Sequence, residues 1–138
     1  MSKVIIYTDG MSKGNPGPAS IGALICANDG CEMVTISQAI GRATNNQAEY
    51  MAVIAALKMA RELGAREVEL RSDSELVVNQ INGDYMVKNA RLVGLHQEVM
   101  HLMEEFDRFN AISIPREENK TADRLAAKAL RKRRTPPS

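Results

Sequence analysis

The sequence lacks tryptophan, has only two cysteines, and contains no apolar run approaching the roughly 18 residues that cross a bilayer. We therefore predict that the protein has no membrane partner. Met1-Ser2-Lys3 leads directly into a strand-forming segment with no signal peptide, which favours a cytoplasmic location. Cys26 and Cys31 flank a hairpin-turn sequence without zinc-binding spacing, so we expect reduced thiols, with a disulfide as the alternative.

A strong excess of either charge is also missing. The chain has 18 Lys and Arg against 17 Asp and Glu, so its net charge of +1 does not by itself indicate a nucleic-acid partner. Residues 131–134 hold four of the positive charges and leave the rest of the chain at −3. A polyanion would therefore have to bind through local basic patches or through metal ions.

What is present is a regular succession of strand and helix patterns, in the order β-β-β-α-β-α-α-β-α. The predicted elements are strands Val4–Asp9, Ala19–Cys26 and Cys31–Ile40, a helix from Asn46 to Gly64, strand Glu67–Ser72, helices Ser74–Ile81 and Leu92–Phe106, strand Ala111–Ile114, and a helix capped by Asn119. This order predicts an α/β fold with a five-stranded mixed sheet and helices on both faces. We assign residues 1–131 to one domain and 132–138 to a basic tail that we expect to be disordered.

Four acidic residues fall at predicted strand ends or in first helical turns, namely Asp9, Glu49, Asp73 and Asp123. Such positions gather where ligands bind in open α/β sheets. Carboxylates brought together repel one another unless cations lie among them, and Mg²⁺ prefers oxygen ligands. A pair of such ions about 3.5–4 Å apart can hold the attacking water and the leaving oxygen of a phosphodiester. The chemistry favours phosphodiester hydrolysis, although spacing alone does not establish that the four acids meet.

Each acid also has a purely structural interpretation. Asp9 can accept hydrogen bonds from the loop that follows it, and Glu49 can complete a capping-box-like helix start at Asn46. Asp73 lies at a natural N-cap position, and Asp123 suits the dipole of the first turn of the last helix. Taken singly, each acid fits these structural roles, whereas the set of four favours a metal site.

Four blocks of the sequence resemble type 1 ribonuclease H in their order and content: TDGMSKGNPGPASIG, GRATNNQAEYMAVIAAL, LRSDSELVVNQING and PREENKTADRLAAKAL. The resemblance covers Val4 to Leu130 and implies a ribonuclease H-like fold. It also implies endonucleolytic cleavage of the RNA strand of RNA–DNA hybrids, leaving 5′-phosphate and 3′-hydroxyl ends. Asp9, Glu49, Asp73 and Asp123 match the family's metal-binding catalytic carboxylates. The implied cofactor is two Mg²⁺ ions bridged by Asp9, with Mn²⁺ as a substitute.

The same resemblance implies two groups of substrate-binding residues. Residues matching those that contact RNA 2′-hydroxyls and bases in the minor groove are Asn15, Asn45 and Asn46. Residues matching a pocket for a DNA-strand phosphate are Arg42, Thr44 and Asn89. The alternatives are a turn-making role for Asn15, a solvated charge for Arg42 and an ordinary loop position for Asn89.

Two departures from the family pattern affect the expected function. Arg116 stands where many members have a histidine, and an arginine cannot shuttle protons near neutral pH. It is expected to bind the scissile phosphate or the product, with a surface ion pair to Glu117 or Glu118 as the alternative. The chain also lacks the basic, tryptophan-bearing protrusion of some members, since GDYMVKNARL is short and only mildly basic. The run at 131–134 either compensates in part or is a solvated tail.

The leading hypothesis is therefore a monomeric, Mg²⁺-dependent ribonuclease H that binds RNA–DNA hybrids. One alternative is a nuclease of the same fold that also cleaves double-stranded RNA, since Arg116 and the missing protrusion leave specificity open. A second is a hybrid-binding module without catalysis, which the presence of all four acids disfavours. A third is a transposase- or integrase-like domain, which normally rests on three acids and lacks the TNNQAE block.

Overall fold

A computed structural model of the chain describes residues 2–134, with side chains described as far as Arg131. The strands are β1 (Lys3–Ser12), β2 (Gly17–Ala27), β3 (Glu32–Ala43), β4 (Glu67–Ser72) and β5 (Arg108–Ser113). The helices are α1 (Asn45–Glu62), α2 (Glu75–Ile81), α3 (Ala90–Met103) and α4 (Lys120–Arg134), with a 3₁₀ turn at Arg116–Glu118 before α4. The predicted order of strands and α-helices is confirmed.

The five strands form one mixed sheet in the order β3-β2-β1-β4-β5. The first three strands are antiparallel neighbours, whereas β4 pairs with β1, and β5 with β4, in parallel. The parallel pairs need crossover connections, which the helices provide. The predicted five-stranded mixed sheet is confirmed, and β1 at its centre belongs to both the antiparallel and the parallel half.

The main hydrophobic core lies between one face of the sheet and helices α1 and α3. Val4 and Ile6 of β1 and Leu70 of β4 are fully buried there, together with Tyr50 and Leu57 of α1. These strand residues alternate along each strand, as a half-buried sheet requires. Burial of this apolar surface holds α1 in a fixed position against the sheet, and the candidate active site depends on that position.

Helix α4 packs on the opposite face of the sheet, so the predicted helices on both faces are confirmed. The Ser20 hydroxyl donates to the Ala126 carbonyl at 2.6 Å, and the Ser37 hydroxyl donates to the Leu125 carbonyl at 2.6 Å. Gly22 allows this close approach, because a Cβ at that position would lie 2.2 Å from the carbonyl oxygen of Ala122. The helix therefore crosses β2 and β3, and serine side chains of both strands donate to its backbone carbonyls.

The predicted end of the first strand at Asp9 is wrong. Strand β1 continues to Ser12 and stays paired with β2 as far as the Ser12–Ala19 pair, but its pairing with β4 ends at Thr8 and Ser72. Gly10 resembles a turn residue in the sequence, yet it lies inside the strand. A glycine is needed there because the backbone of α1 passes against it. Asp9 therefore lies where β1 separates from β4, and this opens a gap in the sheet.

Several smaller expectations concern the rest of the chain. Cys26 and Cys31 are both free thiols, the first buried and the second exposed, as predicted. Helix α4 continues to Arg134, past the predicted domain boundary at 131, and the end of the predicted tail, 135–138, lies outside the described residues. None of the helices in the described part of the chain is long and apolar enough to span a membrane.

Candidate active site

Three of the four predicted acids meet at the gap between β1 and β4. Asp9 comes from β1, Glu49 from α1 and Asp73 from the residue after β4, and one carboxylate oxygen of each lies within 4.8 Å of the others. Asp9 is only 7% exposed. Positions 9, 49 and 73 are far apart in the sequence, so their meeting is a property of the fold.

Gly10 explains how Glu49 reaches the end of β1. A Cβ at position 10 would lie 2.2 Å from the carbonyl carbon of Ala48, so only glycine lets α1 approach β1 this closely. The Gly10 backbone N–H donates to Oε1 of Glu49 at 2.9 Å. This hydrogen bond fixes the Glu49 carboxylate beside Asp9.

The structural roles predicted for Glu49 and Asp73 belong to other residues. Helix α1 is capped by Thr44, whose Oγ1 accepts from the Gln47 N–H at 3.1 Å, while the Thr44 N–H donates to Oε1 of Gln47 at 2.8 Å. Helix α2 is capped by Ser74, which accepts from the Val77 N–H at 3.3 Å. The predicted capping-box role of Glu49 and N-cap role of Asp73 are therefore wrong, and their carboxylates face the cluster.

Asp123 lies at the edge of the same cluster, in the first turn of α4. It lines a cavity of about 310 Å³ together with Asp9, Glu49 and Asp73, but it is not among the three residues whose oxygens are mutually close. Its charge helps to raise the pKa of both Asp9 and Asp73. The fold thus brings all four predicted acids to one cavity, three in close contact and the fourth beside them.

Burial and mutual repulsion make this cluster unfavourable when its carboxyl groups are ionised. Burial, followed by the charges of Asp73 and Asp123, raises the pKa of Asp9 to about 8. Burial and the charges of Asp9 and Asp73 raise the pKa of Glu49 well above its usual range, although the Gly10 N–H opposes this. Burial also raises the pKa of Asp73. A hard divalent cation would relieve the repulsion, and the all-oxygen donor set fits Mg²⁺ or a similar ion.

Arg116 brings a positive charge to the cavity of these acids. It is exposed and lines the cavity, and its charge opposes the upward pKa shifts of Asp9 and Asp73. Within the described part of the chain, the alternative ion pair with Glu117 or Glu118 does not form. Arg116 therefore faces the cavity with its guanidinium available to an anion.

Asn119 belongs to the site although the sequence predicted only a helix cap. Its side chain does not cap α4; instead Nδ2 donates to the Thr8 carbonyl of β1 at 2.9 Å, and the residue is 1% exposed. The same amide lowers the pKa of Asp73. Asn119 thus connects β1, the end of β4 and α4 behind the carboxylates. An asparagine before a helix resembles an N-cap, so no local signal distinguishes this role.

The predicted RNA-contacting amides lie beside the cavity. Oδ1 of Asn15 accepts from the Asn45 N–H at 2.9 Å, and Oδ1 of Asn45 accepts from the Ser12 N–H at 2.9 Å. These bonds attach the β1–β2 turn to the start of α1. Asn45 lines the cavity, whereas Asn46 is half-buried in the first turn of α1. Asn15 therefore has the alternative turn role, and its hydrogen bond to Asn45 connects it to a residue that lines the cavity.

The residues predicted to bind a DNA phosphate are less closely associated with one another than the predicted RNA-contacting amides are. Arg42 is exposed at the end of β3, and its Nη2 donates to the Pro16 carbonyl at 3.4 Å, while Thr44 caps α1. Asn89 is not an ordinary loop residue, because its Oδ1 accepts from the Arg91 N–H and caps α3. Among the described residues, no hydrogen bond joins Asn89 to Arg42 or Thr44. Arg42 and Thr44 lie two positions apart in the sequence, at the end of β3 and the start of α1.

Sequence comparison identifies relatives along almost the whole chain. The family model described as "Reverse transcriptase-like" matches residues 7–129. The bifunctional protein Rv2228c of Mycobacterium tuberculosis is 46% identical over 129 residues, which is 93% of this chain but 35% of that protein. The chain thus spans about a third of the length of this relative. Ribonuclease H of Acetivibrio thermocellus is 36% identical, and the match covers 96% of this chain and 97% of that enzyme.

Solved structures give the same result for the fold. RNase H1 from Halobacterium salinarum superposes with a TM-score of 0.92 at 42% identity, over 94% of this chain and 98% of that one. LC11-RNase H1, solved in complex with an RNA/DNA hybrid, superposes with a TM-score of 0.91 at 41% identity, over 96% and 99% of the two chains. The architecture around the carboxylates is therefore similar to that of proteins known to carry an RNase H fold.

Proposed function

The chain belongs to the ribonuclease H family, and from this premise we propose that it hydrolyses the RNA strand of RNA–DNA hybrids, leaving 5′-phosphate and 3′-hydroxyl ends. The observation that carries the proposal is the group of carboxylates from buried Asp9 and half-buried Glu49 and Asp73, with Asp123 beside them. When ionised, such a group is stabilised by bound cations, and a metal-bound anionic substrate fits this cavity.

The four carboxylates would hold two Mg²⁺ ions, with Mn²⁺ as a substitute. When bound, these ions supply an activated water and stabilise the departing 3′ oxygen. Other residues of the chain hold these carboxylates in place. The Gly10 N–H fixes Glu49, and Asn119 fixes Asp73 against β1. Arg116 faces the cavity and would bind the scissile phosphate or the product, because its guanidinium stays charged and cannot act as a proton shuttle.

Recognition of RNA is assigned to the amides beside the cavity. Asn15, Asn45 and Asn46 can donate to and accept from a 2′-hydroxyl, which is the group that distinguishes RNA from DNA. Asn15 accepts from the Asn45 N–H, and Asn45 accepts from the Ser12 N–H, so these two amides are positioned at the start of α1 before substrate binds. Arg42, Thr44 and Asn89 are assigned to a phosphate of the DNA strand, which would fix the register of the duplex. We further propose a cytoplasmic monomer whose catalytic domain is residues 1–131.

The test is cleavage of a 5′-labelled RNA–DNA hybrid, analysed on a gel with Mg²⁺, with Mn²⁺ and with EDTA. Matched RNA–RNA and DNA–DNA duplexes measure specificity. We expect cleavage of the hybrid only with metal, and a loss of several orders of magnitude in Asp9→Asn. The matched control is Asp29→Asn, the same chemical change in an exposed hairpin turn, which should leave cleavage unchanged.

Three outcomes would contradict parts of the proposal. Cleavage that persists in EDTA would exclude the metal assignment. Hybrid binding without cleavage by the wild-type protein would indicate a binding module rather than an enzyme. Equal cleavage of the RNA–RNA duplex would replace hybrid specificity with the broader nuclease activity.

A further inference from the structure

The positive charge of the chain is concentrated in its last helix. Residues 120–134 contain seven Lys and Arg and only one acid, so α4 carries a net charge of +6 while the rest of the chain carries −5. The overall charge of +1 conceals this separation. A helix this basic on an acidic body presents an attractive surface to a polyanion, which the net charge alone does not indicate.

The described basic side chains of α4 form one row, which we call the basic stripe: Lys120, Arg124, Lys128 and Arg131. Their spacing of four, four and three residues places them on one helix face, and all four are exposed. The opposite face buries Ala122, Ala126 and Ala129 against the sheet. The stripe therefore points away from the sheet along about 16 Å of helix.

Most of the stripe is not neutralised by the protein. None of the ion pairs found in the described part of the chain involves Lys120, Arg124 or Lys128. By contrast, two exposed cations of α1 are both paired: Lys58 with Glu98 at 3.2 Å and Arg61 with Glu105 at 3.0 Å. The charges of Lys120, Arg124 and Lys128 are therefore available to an external partner.

The stripe begins at the candidate active site. Lys120 lines a cavity of about 290 Å³ with Arg116, Glu117 and Asp123. From there α4 crosses the sheet, since Asn119 contacts Thr8 of β1, Ala126 contacts Ser20 of β2, and Leu125 contacts Ser37 of β3. The basic stripe thus leads from the candidate active site across the sheet towards the β3 edge.

We infer that the basic stripe binds the phosphate backbone of duplex nucleic acid outside the cleavage site, and so substitutes for the basic protrusion that the chain lacks. This inference rests on the proposed function, because the duplex is the one held at the carboxylates. One nucleic-acid strand carries a charge about every 3.4 Å along the helix axis, so a stripe of about 16 Å spans about five phosphates.

The composition of the exposed face favours nucleic acid over other polyanions. In the part of α4 whose side chains the structure describes, every exposed residue is Lys or Arg. Helices that lie on membranes also present a large apolar face to the lipid, and the apolar side of α4 is occupied by the sheet. Protein interfaces are usually depleted of lysine and enriched in aromatic residues at their centre. Phosphate contacts, in contrast, require only an array of exposed cations.

The experiment compares hybrid binding by two variants of equal charge, both in an Asp9→Asn background that prevents cleavage. The stripe variant is Arg124→Gln with Lys128→Gln. The control is Lys58→Gln with Arg108→Gln, which removes two exposed positive charges from α1 and β5. Dissociation constants are measured between about 50 and 200 mM KCl, the range over which phosphate contacts weaken strongly. Melting temperatures confirm that both variants fold.

We expect the slope of log K against log salt to fall by about two in the stripe variant, one for each lost phosphate contact. Affinity at about 0.1 M salt should fall at least about eightfold, which is the effect of one such contact. The control should retain the parental slope. An unchanged slope in the stripe variant, or an equal change in the control, would overturn the inference.

Separate measurements test whether the basic stripe binds nucleic acid or lipid, and whether the proposed function is correct. If the stripe variant loses binding to phosphatidylglycerol vesicles but keeps its hybrid affinity, the surface binds lipid and the inference is wrong. If the protein with native Asp9 does not cleave hybrid at all, the proposed function fails. If it cleaves hybrid while the stripe variant binds hybrid like its parent, only the inference about the stripe fails.

Discussion

Asp9 combines burial with the neighbouring negative charges of Asp73 and Asp123, and together they raise its pKa strongly. Its pKa of about 8 lies far above the value of about 3.9 for an unfolded chain. Between these two values the metal-free folded protein binds a proton that the unfolded chain has lost. Folding is then opposed more strongly as the pH rises, and the opposition is complete above about pH 8.

The raised pKa of Asp9 leads to the first prediction. In EDTA, the Asp9→Asn variant should be more stable than the wild type by about 1–3 kcal/mol at pH 8, because asparagine cannot ionise. At pH 4 the difference should be small, since Asp9 is then protonated in the native state. Urea unfolding at the two pH values measures it. A variant that is less stable than the wild type at pH 8 would contradict the assigned burial and repulsion.

Asn119 gives a second prediction at the same scale. Asn119→Ala leaves the buried Thr8 carbonyl without its donor, which should lower the free energy of unfolding by about 1–3 kcal/mol. It also removes the amide beside Asp73, so half-maximal cleavage should require more Mg²⁺. Urea unfolding and a Mg²⁺ titration of activity measure the two effects. Asn110→Ala, at an exposed position on β5, is the control and should change stability by less than about 0.5 kcal/mol. A loss of stability with an unchanged Mg²⁺ requirement would mean that Asn119 does not position Asp73.

At the scale of secondary elements, the site depends on how closely two helices approach the sheet from opposite sides. Gly10 admits α1 and Gly22 admits α4, and each helix carries a carboxylate to the cavity. Glu49 and Asp123 therefore depend on glycines in strands β1 and β2 rather than on residues of their own helices. Each helix lies this close to the sheet because the strand residue opposite it has no side chain.

Gly22→Ala tests this dependence. The new Cβ would lie 2.2 Å from the Ala122 carbonyl oxygen and 2.5 Å from the Ala126 nitrogen, so α4 must shift. We expect a loss of about 1–3 kcal/mol in stability and a larger fall in kcat than in substrate affinity. Gly94→Ala is the matched control, because nothing lies within 4 Å of its added Cβ and alanine favours α3. Thermal unfolding and steady-state cleavage distinguish the two, and equal effects would exclude a steric origin.

The order of the elements was predictable from the sequence, because periods of two and 3.6 residues alternate clearly along the chain. The caps were harder, since Asn46 and Glu49 form a plausible capping pair only two residues away from Thr44 and Gln47, which actually cap α1. The end of β1 was mispredicted because Gly10 resembles a turn residue unless the approach of α1 is known. Asn119 could not be identified because its partner Thr8 lies 111 positions away.

At the scale of the whole molecule, the chain divides into an acidic body and one basic helix that meet at the site. The body supplies Asp9, Glu49 and Asp73 of the proposed metal site, whereas α4 supplies Asp123 and the basic stripe. Substitutions in the basic stripe are therefore expected to change the salt dependence of substrate binding without changing the proposed metal requirement.

Metal binding should be visible in the stability of the whole protein. An ion that binds the folded state alone stabilises it by about 2.7 kcal/mol at a hundred times its Kd. We expect Mg²⁺ to raise the melting temperature of the wild type, and to raise that of Asp9→Asn much less. Scanning calorimetry at matched ionic strength, with NaCl in place of MgCl₂, is the measurement. Equal shifts in both proteins would indicate general screening instead of a specific site.

The hydrogen bond between Asn119 and Thr8 joins two parts of the chain that leave the ribosome far apart in time. A nascent chain that ends before position 119 lacks both this bond and Asp123. Domains generally fold as units during synthesis, and contacts between distant segments form slowly. Translation therefore delays assembly of the complete cavity until α4 has emerged, and a truncated product would retain three acids without the residue that positions Asp73.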